Sequence, residues 1–217
     1  MLVQDIMTRK VVAIGPDTPI RDVQALMELR NIRHFPILDE RAEEDEPDQL
    51  VGIVSDRDLR LVGAEHPRAP AGVRAGDPVR SIMVTPVLTA HPEDPIEETA
   101  KVLRENKIGA MPVMDDGHLV GIVTGIDMLD ALVRMSGVHE PSSRLEVELT
   151  NRPGALAGLL DRIASRNVNV SSVMTARGDS DTVSFVLRVG TVSGHGLADF
   201  LREQGYSVLW PPEKPAA

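Results

Sequence analysis

Seventy-six positions after Ile6-Met7 the chain reads Ile82-Met83, and the same interval of 76 carries Pro16 to Pro92, Pro19-Ile20 to Pro95-Ile96, Ile32 to Ile108 and Pro36 to Pro112. An ordered internal repeat constrains a fold more than any local propensity, because both copies must build the same supersecondary unit. Further along, Leu50-Val51-Gly52-Ile53-Val54 returns as Leu119-Val120-Gly121-Ile122-Val123, and Asp58 as Asp127, at an interval of 69. The first copy therefore holds seven extra residues between Asp39 and Leu50. Residues 39–48 contain seven acids and one base, a balance of −6 within a chain of formal charge −10, and read as a solvated hairpin tip. The second copy closes the same hairpin with Asp116-Gly117, a favoured two-residue turn pair.

Each copy reads strand, helix, strand, strand, helix. In the first, Thr18 is placed as an N-cap with Pro19 at the first helical position, and Ile20, Val23, Leu26 and Met27 follow helical spacing. In the second, Asp94-Pro95-Ile96-Glu97 has the form of a capping box closed by Glu97, and Ile96, Ala100 and Leu103 continue the apolar stripe. The strand-forming runs Phe35-Pro36-Ile37-Leu38 and Met111-Pro112-Val113-Met114 follow, then the Gly-Ile-Val strands. These strands lead directly into helix starts at Ser55-Asp56-Arg57-Asp58 and Thr124-Gly125-Ile126-Asp127.

The composition between the copies, rich in Ala, Pro and Gly, reads as a linker. The expected divisions are a first domain over 1–63, a linker over 64–76, a second domain over 77–135, a second linker over 136–143, and a last domain over 144–212. The last domain has a different pattern. Leu145-Glu146-Val147-Glu148-Leu149 alternates like a half-buried strand, and Asn151-Arg152-Pro153-Gly154 opens a helix with Leu156, Leu159, Leu160 and Ile163 on one face. Strands are expected over 168–176, 183–189 and 206–210, with a turn at Gly178-Asp179 and a helix over 197–204. The order βαββαβ is the ferredoxin-like arrangement. The whole chain falls in the α+β class.

The two copies resemble CBS domains, paired as in a Bateman module. The residues that carry this are Asp5-Ile6-Met7-Thr8, the apolar-Pro steps Phe35-Pro36 and Met111-Pro112, and the Ser/Thr-x-x-Asp turns, in the same order twice. The last domain, with Asn-Arg-Pro-Gly after its first strand, resembles an ACT domain. Asn167 departs from the Gly that commonly precedes the second strand there, but Asn tolerates the left-handed backbone such a turn needs. Two CBS units followed by an ACT domain are similar to the acetoin-utilisation protein B family, which implies a regulatory role in carbon metabolism.

A strand that delivers into a helix N-terminus presents free N–H groups and a positive dipole end, which suit an anionic ligand. A carboxylate three residues past a hydroxyl can accept from adjacent ribose hydroxyls, while Ser55 or Thr124 reaches a phosphate oxygen. The same spacing also fits a helix cap with no ligand. The CBS resemblance implies ribose contact by Asp58 and Asp127, with the base near Phe35-Pro36 and Ala110-Met111-Pro112. The implied ligand is an adenosine compound: AMP, ADP, ATP or S-adenosylmethionine. The sites are not expected to be equal. Arg9, Lys10, Arg33, His34, Arg57 and Arg60 near the first copy's turn correspond to Thr85, Pro86, Gly109, Ala110, Ile126 and Leu129. A polyphosphate needs cationic partners, so the first copy is expected to hold the more highly charged ligand or the only one, unless, in the cleft that paired CBS sites share, these arginines serve the second copy's ligand. The ACT resemblance implies an amino-acid site involving Asn151, Gly154 and Asn169, residues that equally suit turns and caps.

The remaining features exclude other classes. A charge of −10 and aromatics limited to Phe35, Phe185, Phe200, Tyr206 and Trp210 argue against nucleic acid. Without cysteine there is no disulfide, thiolate metal site or cysteine nucleophile. The six histidines lack metal-ligand spacing, and neither a Walker loop nor a Gly-x-Ser-x-Gly elbow is present. No apolar run spans a bilayer and residues 1–5 do not read as a signal peptide, so a cytoplasmic protein free of membrane is expected. With no catalytic constellation in view, the CBS and ACT resemblances imply a non-catalytic sensor and, because modules of both kinds commonly pair between chains, a homodimer acting on an unidentified regulated protein. The alternative is a dimeric scaffold with vestigial nucleotide sites.

Overall fold

Helix α1 (Ile20–Arg30) buries Ile20, Val23 and Met27, a spacing that aligns them along one face. In the computed structural model, which describes residues 1–39, 49–64, 66–67, 69–177 and 181–213, this helix is followed by β1 (His34–Asp39), β2 (Gln49–Ser55) and α2 (Asp56–Arg60). The second repeat gives α3 (Ile96–Asn106), β3 (Ala110–Asp115), β4 (His118–Thr124) and α4 (Gly125–Met135). The acidic residues 40–48 and the turn expected at Gly178-Asp179 lie outside the described residues. The chain forms two compact units, Met1–Leu129 and Asp130–Ala217.

Both N-caps differ from expectation. Pro19 and Pro95, not Thr18 and Asp94, occupy the capping positions, and neither helix has a side-chain cap. Asp94 instead accepts from the His91 N–H at 2.7 Å, so Glu97 closes no capping box. Both helices end alike: Asn31 and Lys107 adopt the left-handed conformation with φ of 53° and 56°. The following N–H groups, of Ile32 and Ile108, then donate back to Met27 and Leu103.

Strands β1 and β2 pair antiparallel with Phe35 opposite Val54, and β3 and β4 with Met111 opposite Val123; each hairpin carries an irregularity after Ile37 or Val113. Asp116 and Gly117, with φ of 45° and 84°, form the two-residue turn that the sequence predicts.

The opening strand expected in each copy shrinks to one parallel bridge, Ile14 with Ile37 and Ala90 with Val113. Proline explains this. Ile14 N–H donates to the Pro36 carbonyl, so the next rung toward the N-terminus would require an N–H from Pro36 itself. The rung on the other side would require one from Pro16. Pro112 and Pro92 impose the same limit around Ala90.

The repeats also exchange their opening residues. Thr8 and Ile122 exchange two backbone hydrogen bonds of 2.9 and 3.0 Å, and Ile53 and Val84 exchange two of 3.1 and 2.8 Å. Val3 and Met7 accordingly sit in the core of Ala90, Leu103, Met111, Val113 and Val123. Val79 joins Ile20, Val23, Met27, Phe35, Ile37, Val54 and Leu59. Burying an aliphatic side chain of this kind contributes roughly 1.5–3 kcal/mol, so each copy depends on the other for part of its core. Gly52 and Gly121 permit the crossing: a Cβ at either would lie 2.5 Å from the sulfur of Met83 or Met7.

The second unit contains β5 (Ser143–Thr150), α5 (Ala155–Ala164), β6 (Val170–Arg177), β7 (Thr182–Val189), α6 (Gly194–Glu203) and β8 (Ser207–Trp210). One antiparallel sheet runs in the order β6-β7-β5-β8. Leu145, Val147 and Leu149 alternate inward and meet Leu159 and Ile163 of α5 and Leu197, Ala198 and Leu201 of α6. Asn167 takes a φ of 55°, the left-handed turn anticipated for it. No helix among the described residues is long and apolar enough to cross a membrane.

Candidate functional site

The β2–α2 turn closes on itself. The Asp58 carboxylate accepts from the Ser55 N–H at 2.8 Å and from the Ser55 hydroxyl at 2.6 Å. In the second copy Asp127 accepts from the Thr124 N–H and hydroxyl, both at 2.7 Å. Both carboxylates thus cap their helix starts. All four bonds use Oδ2, so each carboxylate can still accept a ligand hydroxyl through Oδ1.

Beside Ser55 and Asp58 lies a cavity of about 490 Å³. Its polar side is formed by Arg33, His34, Asp56 and Arg57, and its apolar walls by Ile53, Val84, Val87, Leu88 and Ile108. Lys107, Gly109 and Ala110 arrive from the second copy. The Arg33 carbonyl accepts from the Asp56 N–H at 3.0 Å, which fixes the strand entrance against the helix start. Asp56 pairs with Arg60, so its charge is partly met from outside the cavity.

His34 reaches across to the second copy. A Cβ at Gly109 would lie 2.7 Å from its Nε2, so a side chain there would force the ring to move. Burial pushes the His34 pKa below its ordinary value; Asp56 and Asp58 pull it upward, and Arg33 and Arg57 push it further down.

The cavity brings together Arg33, His34, Ser55, Arg57, Asp58 and Ala110 among the residues singled out from the sequence. Phe35 and Met111, at 0% and 3% exposed, belong to the two cores, and Pro36 and Pro112 are buried beside them. None of these four side chains lines the cavity. Thr124 and Asp127 sit at the start of α4 and do not line it either. Arg60 lines a separate groove with Met27, Leu59 and Asp56, and Arg9 donates to the Gln4 carbonyl. Sequence reasoning missed Val84, Leu88, Lys107 and Ile108. The repeat held the signal, because residues 107–110 correspond to 31–34, but using it required knowing that the copies face each other.

In the second unit, Arg152, Gly154, Ala155, Gly158 and Tyr206 line a cavity of about 430 Å³. Gly154 is among the residues expected there; Asn151 and Asn169 do not line it, and their backbones bond to Asp181 and Gly190. No group of three or more His, Cys, Asp or Glu side chains suited to a metal occurs among the described residues.

Comparison with known proteins places this geometry. The CBS domain family model matches residues 3–65 and 79–134. The inosine-5'-monophosphate dehydrogenase of Thermoplasma acidophilum is 35% identical over 83% of this chain, which spans only 33% of that protein. Among solved structures, the CBS domain pair of protein MJ0100 in complex with 5'-methylthioadenosine and S-adenosyl-L-methionine superposes with a TM-score of 0.52 at 27% identity, covering 62% of this chain and 97% of that one. A Vibrio cholerae chain named as an acetoin utilization protein (AcuB) superposes at 0.51 and 29% identity, covering 66% and 98%. With two family matches over the two copies read from the repeat, the chain belongs to the CBS domain family.

Proposed function

We propose that this chain is a non-catalytic regulatory sensor that binds an adenosine ligand between its two CBS repeats. The observation that carries the reading is the cavity at Ser55–Asp58. A carboxylate oxygen and a hydroxyl stand at one side, apolar walls suited to a base at the other, and both repeats contribute. The MJ0100 pair, similar over the same repeats, is a complex with two adenosine compounds. The second unit acts as a ferredoxin-like ACT module over 144–212 that takes an amino acid or similar metabolite. Its element order, the sheet order β6-β7-β5-β8 and the cavity at Gly154 support that role. The CBS domains are taken as 1–63 and 77–135. The protein is taken to be cytoplasmic and to act as a homodimer, and the exposed Leu29, Ile126 and Leu129, at 79%, 63% and 57%, support the homodimer. Likeness to the Vibrio cholerae chain supports a place in acetoin-type carbon metabolism, acting on a regulated protein still to be identified.

A sensor must bind its ligand differently in two arrangements, since equal affinity shifts nothing. Thermal unfolding with AMP, ADP, ATP, S-adenosylmethionine and free amino acids tests this. A ligand at a hundred times its Kd stabilises by about 2.7 kcal/mol, or several degrees at roughly 2–4 °C per kcal/mol. That shift disappears in Asp58→Ala. A second reading, the scaffold with vestigial sites, is favoured by capping boxes that are complete without a ligand in both repeats. No shift with any adenosine compound would leave both aspartates as helix caps and favour the scaffold.

A further inference from the structure

Helix α4 begins in the first compact unit and ends in the second, because the division between Leu129 and Asp130 falls inside Gly125–Met135. Its start is fastened twice within the first unit. The Gly125 N–H donates to the Gly109 carbonyl at 3.1 Å, and Asp127 accepts from the N–H and hydroxyl of Thr124. Gly109 also lines the inter-repeat cavity, with the His34 ring against it.

The end of α4 is fastened within the second unit. The Ser136 N–H closes the last turn on the Leu132 carbonyl at 2.9 Å, and the Ser136 hydroxyl donates to the Val133 carbonyl at 2.7 Å. The Ser136 carbonyl in turn accepts from the Ser172 hydroxyl of β6 at 2.9 Å. Ser136 is buried although polar, which among the described residues it shares only with Thr99. Gly137, at φ 68°, then turns the chain beside Ser171 and Arg188.

Between these two ends the chain gives the helix little support. Ala131 is its one buried residue and Met128 is half-buried, while Ile126, Leu129, Leu132 and Met135 stand exposed. A helix of 11 residues with so little packing is marginal, and winding is cooperative along its length. It therefore has two states, one wound through Ser136 and one with the last turn open, and a bond lost at either end favours the second. The first repeat has no counterpart, because α2 stops after five residues at Arg60.

We propose that α4 couples the inter-repeat cavity to the second unit, so that loosening its start at Thr124–Asp127 opens its end at Ser136 and releases Ser172. The proposal extends the sensor reading and rests on it only for what fills the cavity. An occupant that displaces Gly109 acts on the Gly125 N–H, and through it on the winding of α4. Coupling of this kind is reciprocal.

Hydrogen exchange of the full chain without ligand, followed residue by residue by NMR, tests this in Asp127→Ala, Ser172→Ala and Asp58→Ala. Asp127→Ala is expected to speed exchange of the Ser136 and Gly137 amides by roughly 2- to 30-fold, the range of a lost side-chain cap, while amides of β5 and β7 keep their rates. Ser172→Ala is expected to speed the Leu129 and Asp130 amides in return. Asp58→Ala removes the same cap from a helix that ends in the first unit, and should leave Ser136 unchanged. Unaltered Ser136 exchange in Asp127→Ala, no response of Leu129 and Asp130 to Ser172→Ala, or an equal response of Ser136 to Asp58→Ala would overturn the coupling. Because no ligand enters the measurement, such a result leaves the adenosine reading standing, and failure of adenosine compounds to bind leaves the coupling standing.

Discussion

The exchange of opening residues between the repeats can be tested at Gly121. A Cβ added there would meet the Met7 sulfur at 2.5 Å, 0.9 Å inside the 3.4 Å at which ordinary contact begins. Turning the thioether aside relieves only part of the overlap, because Met7 Cγ lies at 3.1 Å and the Thr8 carbonyl oxygen at 3.3 Å. Overpacking of this size costs about 1–3 kcal/mol, so Gly121→Ala is expected to destabilise the first unit by that amount. Met7 is 8% exposed, and Met7→Ala should cost about 2–5 kcal/mol through the cavity it leaves. The two changes must not add. Once Met7 is truncated, the alanine methyl occupies space the sulfur has vacated, and Gly121→Ala should become nearly neutral. Urea unfolding of the wild type, both single variants and the double variant should give a coupling energy of about 1–3 kcal/mol. Additivity to within about 0.5 kcal/mol would mean that residues 1–8 do not pack over β4, and would refute the exchange.

Three further outcomes follow from the same geometry. Removing the capping carboxylate in Asp127→Ala should cost about 0.5–2 kcal/mol in the ligand-free protein, measured by urea midpoint, because the Thr124 N–H and hydroxyl both lose their acceptor. The lowered His34 pKa means the unfolded chain binds the proton more readily than the folded one. Stability should then be unaffected by His34 above pH 6.5, the ordinary value, and fall as the pH drops below it toward the folded value; His34→Gln should flatten that slope in urea midpoints taken across the range. At the left-handed Asn167, glycine should be nearly neutral while valine costs about 1–2 kcal/mol, which a thermal melt of the two variants would resolve.

What the sequence revealed, and what it did not, divides along one physical line. Features written into a few adjacent residues were legible: the Asp116-Gly117 turn, the left-handed Asn167, the apolar face of α1, and both Ser/Thr-x-x-Asp turns. Features that depend on which segments meet were not. The repeat interval gave the number of copies but not their exchange, because Val3 and Met7 fit either core equally well as apolar residues. The CBS resemblance puts the base near Phe35-Pro36 and Met111-Pro112, and that Phe35 and Met111 are themselves buried in the two cores depends on which segments meet, not on the adjacent residues. The missing opening strands could have been found. Pro16, Pro36, Pro92 and Pro112 all lie on the repeat, and each removes a donor that the ladder would need.

Exchange also bears on how binding could be transmitted. Val84 joins β2 through Ile53 and at the same time lines the cavity, while Met83 lies over Gly52 two residues before Val54 in the first core. A ligand that presses on Val84 and Leu88 therefore acts on a segment that completes the first repeat but leads, through Ala90, into the second. On the opposite side, Lys107 ends the helix that carries Leu103 of the second core. A molecule filling the cavity would thus touch both routes between the repeats, and packed cores tend to hold discrete arrangements because they resist gradual deformation.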